Sequence, residues 1–202
     1  GAQSLYSNTT GSVNTAVGRR SLYANTTGNL HVAVGYNALA DNTIGYANTA
    51  CGHEALRKTV GGYSNTAVGW ASLFTNVSGN ENTSVGNGAL YYALGSTNTA
   101  IGTAAGQTNS TGSGNVFLGY NAGYNETGSN KLYIANTNTA TPLILGDFSA
   151  STLRVNGRLQ ATSAYSATVV LSIVTGSVAV DAALSNSFEL TANANFTLAN
   201  PT

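Results

Sequence analysis

Along most of this chain, apolar and polar positions recur with a period of seventeen residues. Each period carries one short stretch that ends in glycine. The stretches read VNTAVG, LHVAVG, ANTACG, SNTAVG, ENTSVG, TNTAIG and GNVFLG, closing at Gly18, Gly35, Gly52, Gly69, Gly86, Gly102 and Gly119. Alternating, rich in β-branched residues and bounded by glycine, they predict strands; they are too short and too rich in Gly, Asn and Thr for helices. A second glycine stands seven residues before each landmark, at Gly11, Gly28, Gly45, Gly62, Gly79, Gly95 and Gly112. With Gly1 and Gly128, sixteen of the 24 glycines fall into two columns. Self-similarity at a fixed period predicts a solenoid, in which each repeat buries its apolar face by stacking on its neighbours. The fold expected is therefore all-β, a parallel β-roll or β-helix of 17-residue coils.

The columns assign expected roles. Val17, Val34, Cys51, Val68, Val85, Ile101 and Leu118, each just before a landmark glycine, are expected to point into the core, as is the column Leu5, Leu22, Leu39, Leu56, Leu73 and Leu90. In that reading Cys51 is a small buried hydrophobe rather than a reactive thiol. Asn14, Asn48, Asn65, Asn82, Asn98 and Asn115, with His31 in the one gap, predict a ladder of side-chain amides pairing with the coils above and below. The glycine columns predict positive φ or close approach of a neighbouring backbone. Single deletions fall between the Leu column and the next glycine, which marks that interval as the tolerant outer turn. One Val-type and one Leu-type residue per coil make a thin core. The small column Ser4, Ser21, Ala38, Ala55, Ser72, Ala89, Ala105 and Ala122 is accordingly expected to lie against another chain, most simply in a homotrimer around a fibre axis.

The period fades near residue 136, giving an expected division into a repeat β-roll (1–136), a β-hairpin connector (137–162) turning about Asn156–Gly157, and the start of a C-terminal β module (163–202). Gly1 stands in the landmark column and the chain ends straight after a strand-like segment, so it reads as a fragment. Charge enters weakly: 7% of residues are charged, with seven cations against seven anions, which favours neither nucleic acid nor an anionic membrane. No apolar run approaches the ~20 residues of a membrane-spanning helix. One cysteine excludes an intrachain disulfide framework.

Candidate chemistry is sparse. Asp41, Glu54, Glu81, Glu126, Asp147, Asp181 and Glu189 fall in different columns or coils, which does not assemble the paired carboxylates of glycoside hydrolysis. His31 replaces an Asn and can supply the same hydrogen bond, or less readily a metal ligand. No cofactor or metal is expected. After the landmark glycine stand Arg19, Tyr36, His53, Trp70, Asn87, Thr103 and Tyr120, a chemically free and therefore exposed column. Its Tyr36, Trp70 and Tyr120 are candidate surface contacts for glycans. The Thr column, Thr15, Thr49, Thr66, Thr83 and Thr99, resembles the ladders of ice-binding solenoids but is interrupted by Val32 and Val116.

SNTAVG (64–69) and TNTAIG (97–102), each with its upstream glycine, resemble the head repeats of YadA-like trimeric autotransporter adhesins. Together with NVFLGYNAGYNETGSNKLYIAN (115–136), LRVNGRLQAT and NSFELTANANFTLANPT, they resemble still more the repeats of phage tail fibres and bacterial surface fibres. The resemblance implies a trimeric left-handed β-roll, extracellular or on a virion tail. It also implies a closing tip module that meets a cell-surface glycan or protein receptor. The function expected is a non-enzymatic, adhesive part of a fibre that recognises a host or prey cell. A polysaccharide-degrading tailspike and an ice-binding solenoid are the alternatives.

Overall fold

A computed structural model describes residues 1–157. Within them the chain is all-β, with no helix, and forms a parallel β-solenoid of about seven coils. Each coil contributes one three-residue strand: β1 (Thr15–Val17), β2 (Val32–Val34), β3 (Thr49–Cys51), β4 (Thr66–Val68), β5 (Thr83–Val85), β6 (Thr99–Ile101) and β7 (Val116–Leu118). These pair in register, Ala33 on Ala50 and Ala50 on Ala67, so every column of the sequence becomes a line of stacked side chains. The degenerate coil at 129–136 adds β8 (Lys131–Ile134), parallel to β7. The sheet then reverses direction: β9 (Ile144–Asp147) and β10 (Thr152–Val155) join it as antiparallel strands. β10 pairs back onto β9, and the strand expected beyond Asn156–Gly157 lies outside the described residues, as does the module expected over 163–202.

The return path of each coil has no strand, yet its backbone is also paired from coil to coil. The amides of Leu22, Leu39, Leu56 and Leu73 each donate to the small-column carbonyl one coil on, Ala38, Ala55, Ser72 and Ala89, at 3.0 Å. Buried peptide groups are thereby satisfied on both sides of the roll. The close approach expected at the second glycine column is present. A Cβ on Gly28 would stand 2.5 Å from the Gly45 carbonyl oxygen, and one on Gly45 would stand 2.4 Å from that of Gly62.

Two expectations about the core are overturned. The Val-type column points outward: Val17 is 56% exposed, Val68 36% and Ile101 47%, and Cys51 is exposed with them. The residue one step earlier points inward instead, at Ala33, Ala50, Ala67, Ser84, Ala100 and Phe117, all fully buried. A three-residue strand gives its middle position one face and its two ends the other. The interior is narrow: this column holds Ala or Ser wherever the Leu column flanks it, and a large ring only at Phe117, between Gly106 and Gly123. The small column does not await another chain, because Ser21, Ala38, Ala55, Ser72, Ala89, Ala105 and Ala122 are buried within their own coils. It lies in the same core cluster as the Leu column, which is why it must be small.

The Leu column takes φ of 49–52° from Leu22 to Leu90, the left-handed region. For a residue with a Cβ that conformation costs on the order of 1–3 kcal/mol. Complete burial of each Leu contributes roughly 1.5–3 kcal/mol and offsets it. At Gly106 and Gly123 the same backbone persists, with φ of 58° and 59°, without the strain or the side chain. The reason is Phe117. Its ring fills the space of two leucines, and a Cβ on Gly106 or Gly123 would stand 2.4 or 2.2 Å from it. Ala to Phe in one column is thus matched by Leu to Gly in another.

This coupling makes an expectation. Gly106→Leu alone should destabilise the roll by about 1–3 kcal/mol through overpacking. In a Phe117→Ala background, where the ring has left a cavity, the same substitution should stabilise it. Chemical denaturation of the four proteins of that cycle measures the reversal of sign, and additive effects would refute the compensation.

Candidate functional site

The side chains that stack in columns form three kinds of surface or interior feature. The first is the buried amide ladder. Asn65 Nδ2 donates to Asn48 Oδ1 at 3.0 Å and to the Gly79 carbonyl at 2.8 Å, while Asn48 Oδ1 also accepts the Asn65 amide at 3.0 Å. Asn82, Asn98 and Asn115 repeat the pattern. The Lys131 amide closes it on Asn115 Oδ1 at 2.8 Å. A second ladder, missed in the sequence reading, runs through Asn8, Asn25 and Asn42, with Nδ2 to Oδ1 distances of 2.7 Å. Its signal was present: NTTG at 8–11 and 25–28 and NTIG at 42–45 set an Asn three residues before each second-column glycine.

His31 holds the first ladder where Asn is absent, and it is fully buried. Its Nδ1 accepts the Asn48 amide at 3.2 Å, which assigns the proton to Nε2, and Nε2 donates to the Gly45 carbonyl at 2.8 Å. Both ring nitrogens are engaged within the roll. Burial pushes the imidazole below its ordinary value of 6.5, with the two backbone hydrogen bonds acting the other way. No charged side chain is among its partners.

The second feature is aromatic. In the column after the landmark glycine, Tyr36 stacks on His53 with ring centroids 5.0 Å apart, and His53 stacks on Trp70 at 6.5 Å. The Arg19 guanidinium lies over Tyr36, 5.7 Å from its centroid. Of the three residues expected to be exposed candidates, Tyr36 and Trp70 therefore belong to one stack, whereas Tyr120 stands apart beyond Asn87 and Thr103. Tyr6 on Tyr23, Tyr46 on Tyr63 and Phe74 on Tyr91 form further stacked pairs. Each pair is seventeen residues apart, so the period itself announced these contacts.

The third feature is a corner at the end of the roll that the scattered carboxylates did not announce. A cleft of about 400 Å³ is lined by Glu126, Lys131, Tyr133, Asp147 and Arg154, among others. Lys131 Nζ donates to Asp147 Oδ2 at 2.5 Å, and the Ala150 amide donates to Oδ1 at 3.0 Å. Tyr133 donates to Glu126 Oε2 at 2.7 Å, and the Gly128 amide donates to Oε1 at 2.6 Å. Burial first, then Glu126, pushes the Tyr133 hydroxyl up to about 12. The ion pair raises Lys131 and lowers Asp147. All four carboxylate oxygens are occupied, so the arrangement fastens the last coil to β9 rather than offering a free acid and base. Among the described residues no three His, Cys, Asp or Glu side chains come together to hold a metal ion.

No family model, curated protein or solved structure matches the chain.

His31 yields a pH expectation. Its folded value lies below its unfolded value, so its contribution to stability is complete above about 6.5 and is lost as pH falls toward the folded value. Thermal melting of the chain should therefore drop between pH 7.5 and 5. His31→Asn, which restores the ladder residue, should flatten that decline. Identical slopes for the two proteins would show that the imidazole does not limit acid stability.

Proposed function

We propose that this chain is part of a homotrimeric, non-enzymatic adhesive fibre of the left-handed β-roll type, in which the repeats form a shaft or head and the segment beyond residue 163 begins a tip that meets a cell-surface receptor. One observation carries the reading. The outer face of the sheet consists of two columns, from Thr15 and Val17 on β1 to Leu153 and Val155 on β10, and none of their twenty positions is charged. The apolar share grows toward the end, where Val116, Leu132 and Leu153 continue the Thr column, and Leu118, Ile134, Ile144 and Val155 continue the Val column.

Ten strands at ~4.8 Å make this stripe about 43 Å long. Monomeric proteins rarely leave such a continuous uncharged, largely apolar face in water. A closed rotational assembly buries the stripe of every copy against the others, and three copies leave the turns and aromatic columns outward. The interface assigned to the small column in the sequence reading thus moves to the outer sheet face. The likeness of SNTAVG and TNTAIG to the repeats of trimeric adhesins and tail fibres supports the same assembly. The tailspike alternative draws no support from the Glu126–Asp147 corner, whose acids are fully engaged.

Sedimentation equilibrium at micromolar concentration should return a trimer. The pair Val68→Arg and Val85→Arg should give monomers with an unchanged strand signal in circular dichroism, because an unpaired charge at a dry seam costs several kcal/mol. A well-folded wild-type monomer would refute the assembly. Labelled trimer should bind whole target cells without releasing reducing sugar from their polysaccharide; release would establish the enzymatic reading.

A further inference from the structure

The aromatic column beside the sheet is interrupted at two successive coils. Arg19, Tyr36, His53 and Trp70 occupy the first four rungs, Asn87 and Thr103 the next two, and Tyr120 the seventh. In the occupied part, each ring is covered by its neighbours. Tyr36 has the Arg19 guanidinium on one side and His53 on the other, and His53 lies between Tyr36 and Trp70. Among the described residues Trp70 stacks on His53 alone, so its other face is turned toward Asn87 with no ring upon it. Tyr120 has no stacking partner among the described residues. These two rings are also the more open, with Trp70 50% and Tyr120 56% exposed against 37% for Tyr36.

At ~4.8 Å per coil, three coils separate Trp70 from Tyr120 by roughly 14 Å, enough for two further rings at ladder spacing. The two rungs between them are short and polar. Asn87 and Thr103 are both exposed, and neither side chain has a hydrogen-bond partner in the protein among the described residues. Gly88, with φ of 61°, keeps the next position free of a side chain, and Gln107 brings its amide alongside: a Cβ on Gly88 would lie 2.8 Å from Gln107 Nε2. No Lys or Arg occurs between Lys58 and Lys131, and Glu81 and Glu126 are the only acids in that interval.

We propose that the gap between Trp70 and Tyr120 is a binding site for a neutral oligosaccharide, one pyranose ring of which continues the aromatic column on the free face of Trp70 at the Asn87 rung while the linked residues run past Thr103 toward Tyr120. A pyranose presents C–H bonds of slight positive charge on its faces, which suit the negative face of an indole or phenol ring. Its hydroxyls lie at the rim, where the Asn87 and Gln107 amides and the Thr103 hydroxyl can donate and accept. The absence of a cation in coils five and six selects against anionic sugars. The proposal rests on the adhesive reading for its biological role, not for its chemistry. In a trimer the site would occur three times, so weak single contacts would add through multivalency.

Trp70 is the one tryptophan of the chain, so its fluorescence reports this site alone. The full chain is titrated with tetrasaccharides of β-linked glucose, β-linked N-acetylglucosamine and α-linked mannose. At least one should shift the emission saturably. Tyr120→Ala should weaken that titration tenfold or more. Asn87→Tyr, which supplies from the protein the ring that the sugar would provide, should abolish it while leaving melting unchanged or higher. Tyr46→Ala, on the opposite flank of the strand, should leave the titration as it was. The proposal is overturned if none of the three saccharides shifts the emission, or if Asn87→Tyr binds as wild type does. Cell binding that survives Asn87→Tyr would deny the site a part in adhesion and keep the adhesive reading, whereas saccharide binding without any cell binding would keep the site and remove the adhesive reading.

Discussion

A buried peptide group without a hydrogen-bond partner costs on the order of 1–3 kcal/mol, and in this roll the partners come from the adjacent coils. The strands pair in register along one side, and the Leu-column amides pair with the small-column carbonyls along the other. Coils are thereby held at one strand spacing all the way round. Every other property follows from that spacing. Side chains of one column must stack on their own kind, glycine is required where successive backbones close to within a Cβ of each other, and a buried amide can serve the coils on both sides.

Stacking at so short a distance means that a residue is judged by its column neighbours more than by its own coil. Phe117 stands between Gly106 and Gly123, where the regular coils have Leu around Ala. His31 is accepted among asparagines because its two nitrogens meet the same backbone groups. Aromatic residues recur at the period because a ring is best covered by a ring above it, and each interruption of such a column leaves ring faces uncovered. The uncovered faces of Trp70 and Tyr120 are products of the same rule that covers Tyr36 and His53.

The roll also separates its surfaces by chemistry. Among the described residues the interior holds Ala, Leu, Ser and Asn, with His31 and Phe117, and no charged side chain. The outer sheet face is uncharged and increasingly apolar, which suits burial against copies of itself. Charged groups gather at turns, as Glu54 and Arg57 do, and at the end of the roll, where Lys131 on β8 pairs with Asp147 on β9 and Glu126 accepts from Tyr133 of its own coil. Solenoids need such polar ends, since a coil with no successor presents an unfilled interior to water.

The period, the parallel register and the amide ladder were legible in the residues, because a repeated hydrogen-bonding and packing problem produces a repeated answer. The stacked pairs Tyr6–Tyr23, Tyr46–Tyr63 and Phe74–Tyr91, and the second Asn column, were legible in the same way though they were not read. Which face of the strand is inside was not. Val beside a glycine looks like core by hydrophobicity, but next to the Leu column this inward position holds only Ala or Ser, and only the folded cross-section decides that Ala67 is buried and Val68 is not. The small column likewise fitted a contact with another chain as well as one within its own coil, until the Leu of the same coil was placed beside it. The gathering of Glu126, Lys131, Tyr133 and Asp147 depends on β9 turning back against β8, a reversal with no period to announce it. What recurs along the chain was determined by the sequence itself; which side of it meets water, and what meets across a reversal, was decided only by the closed coil.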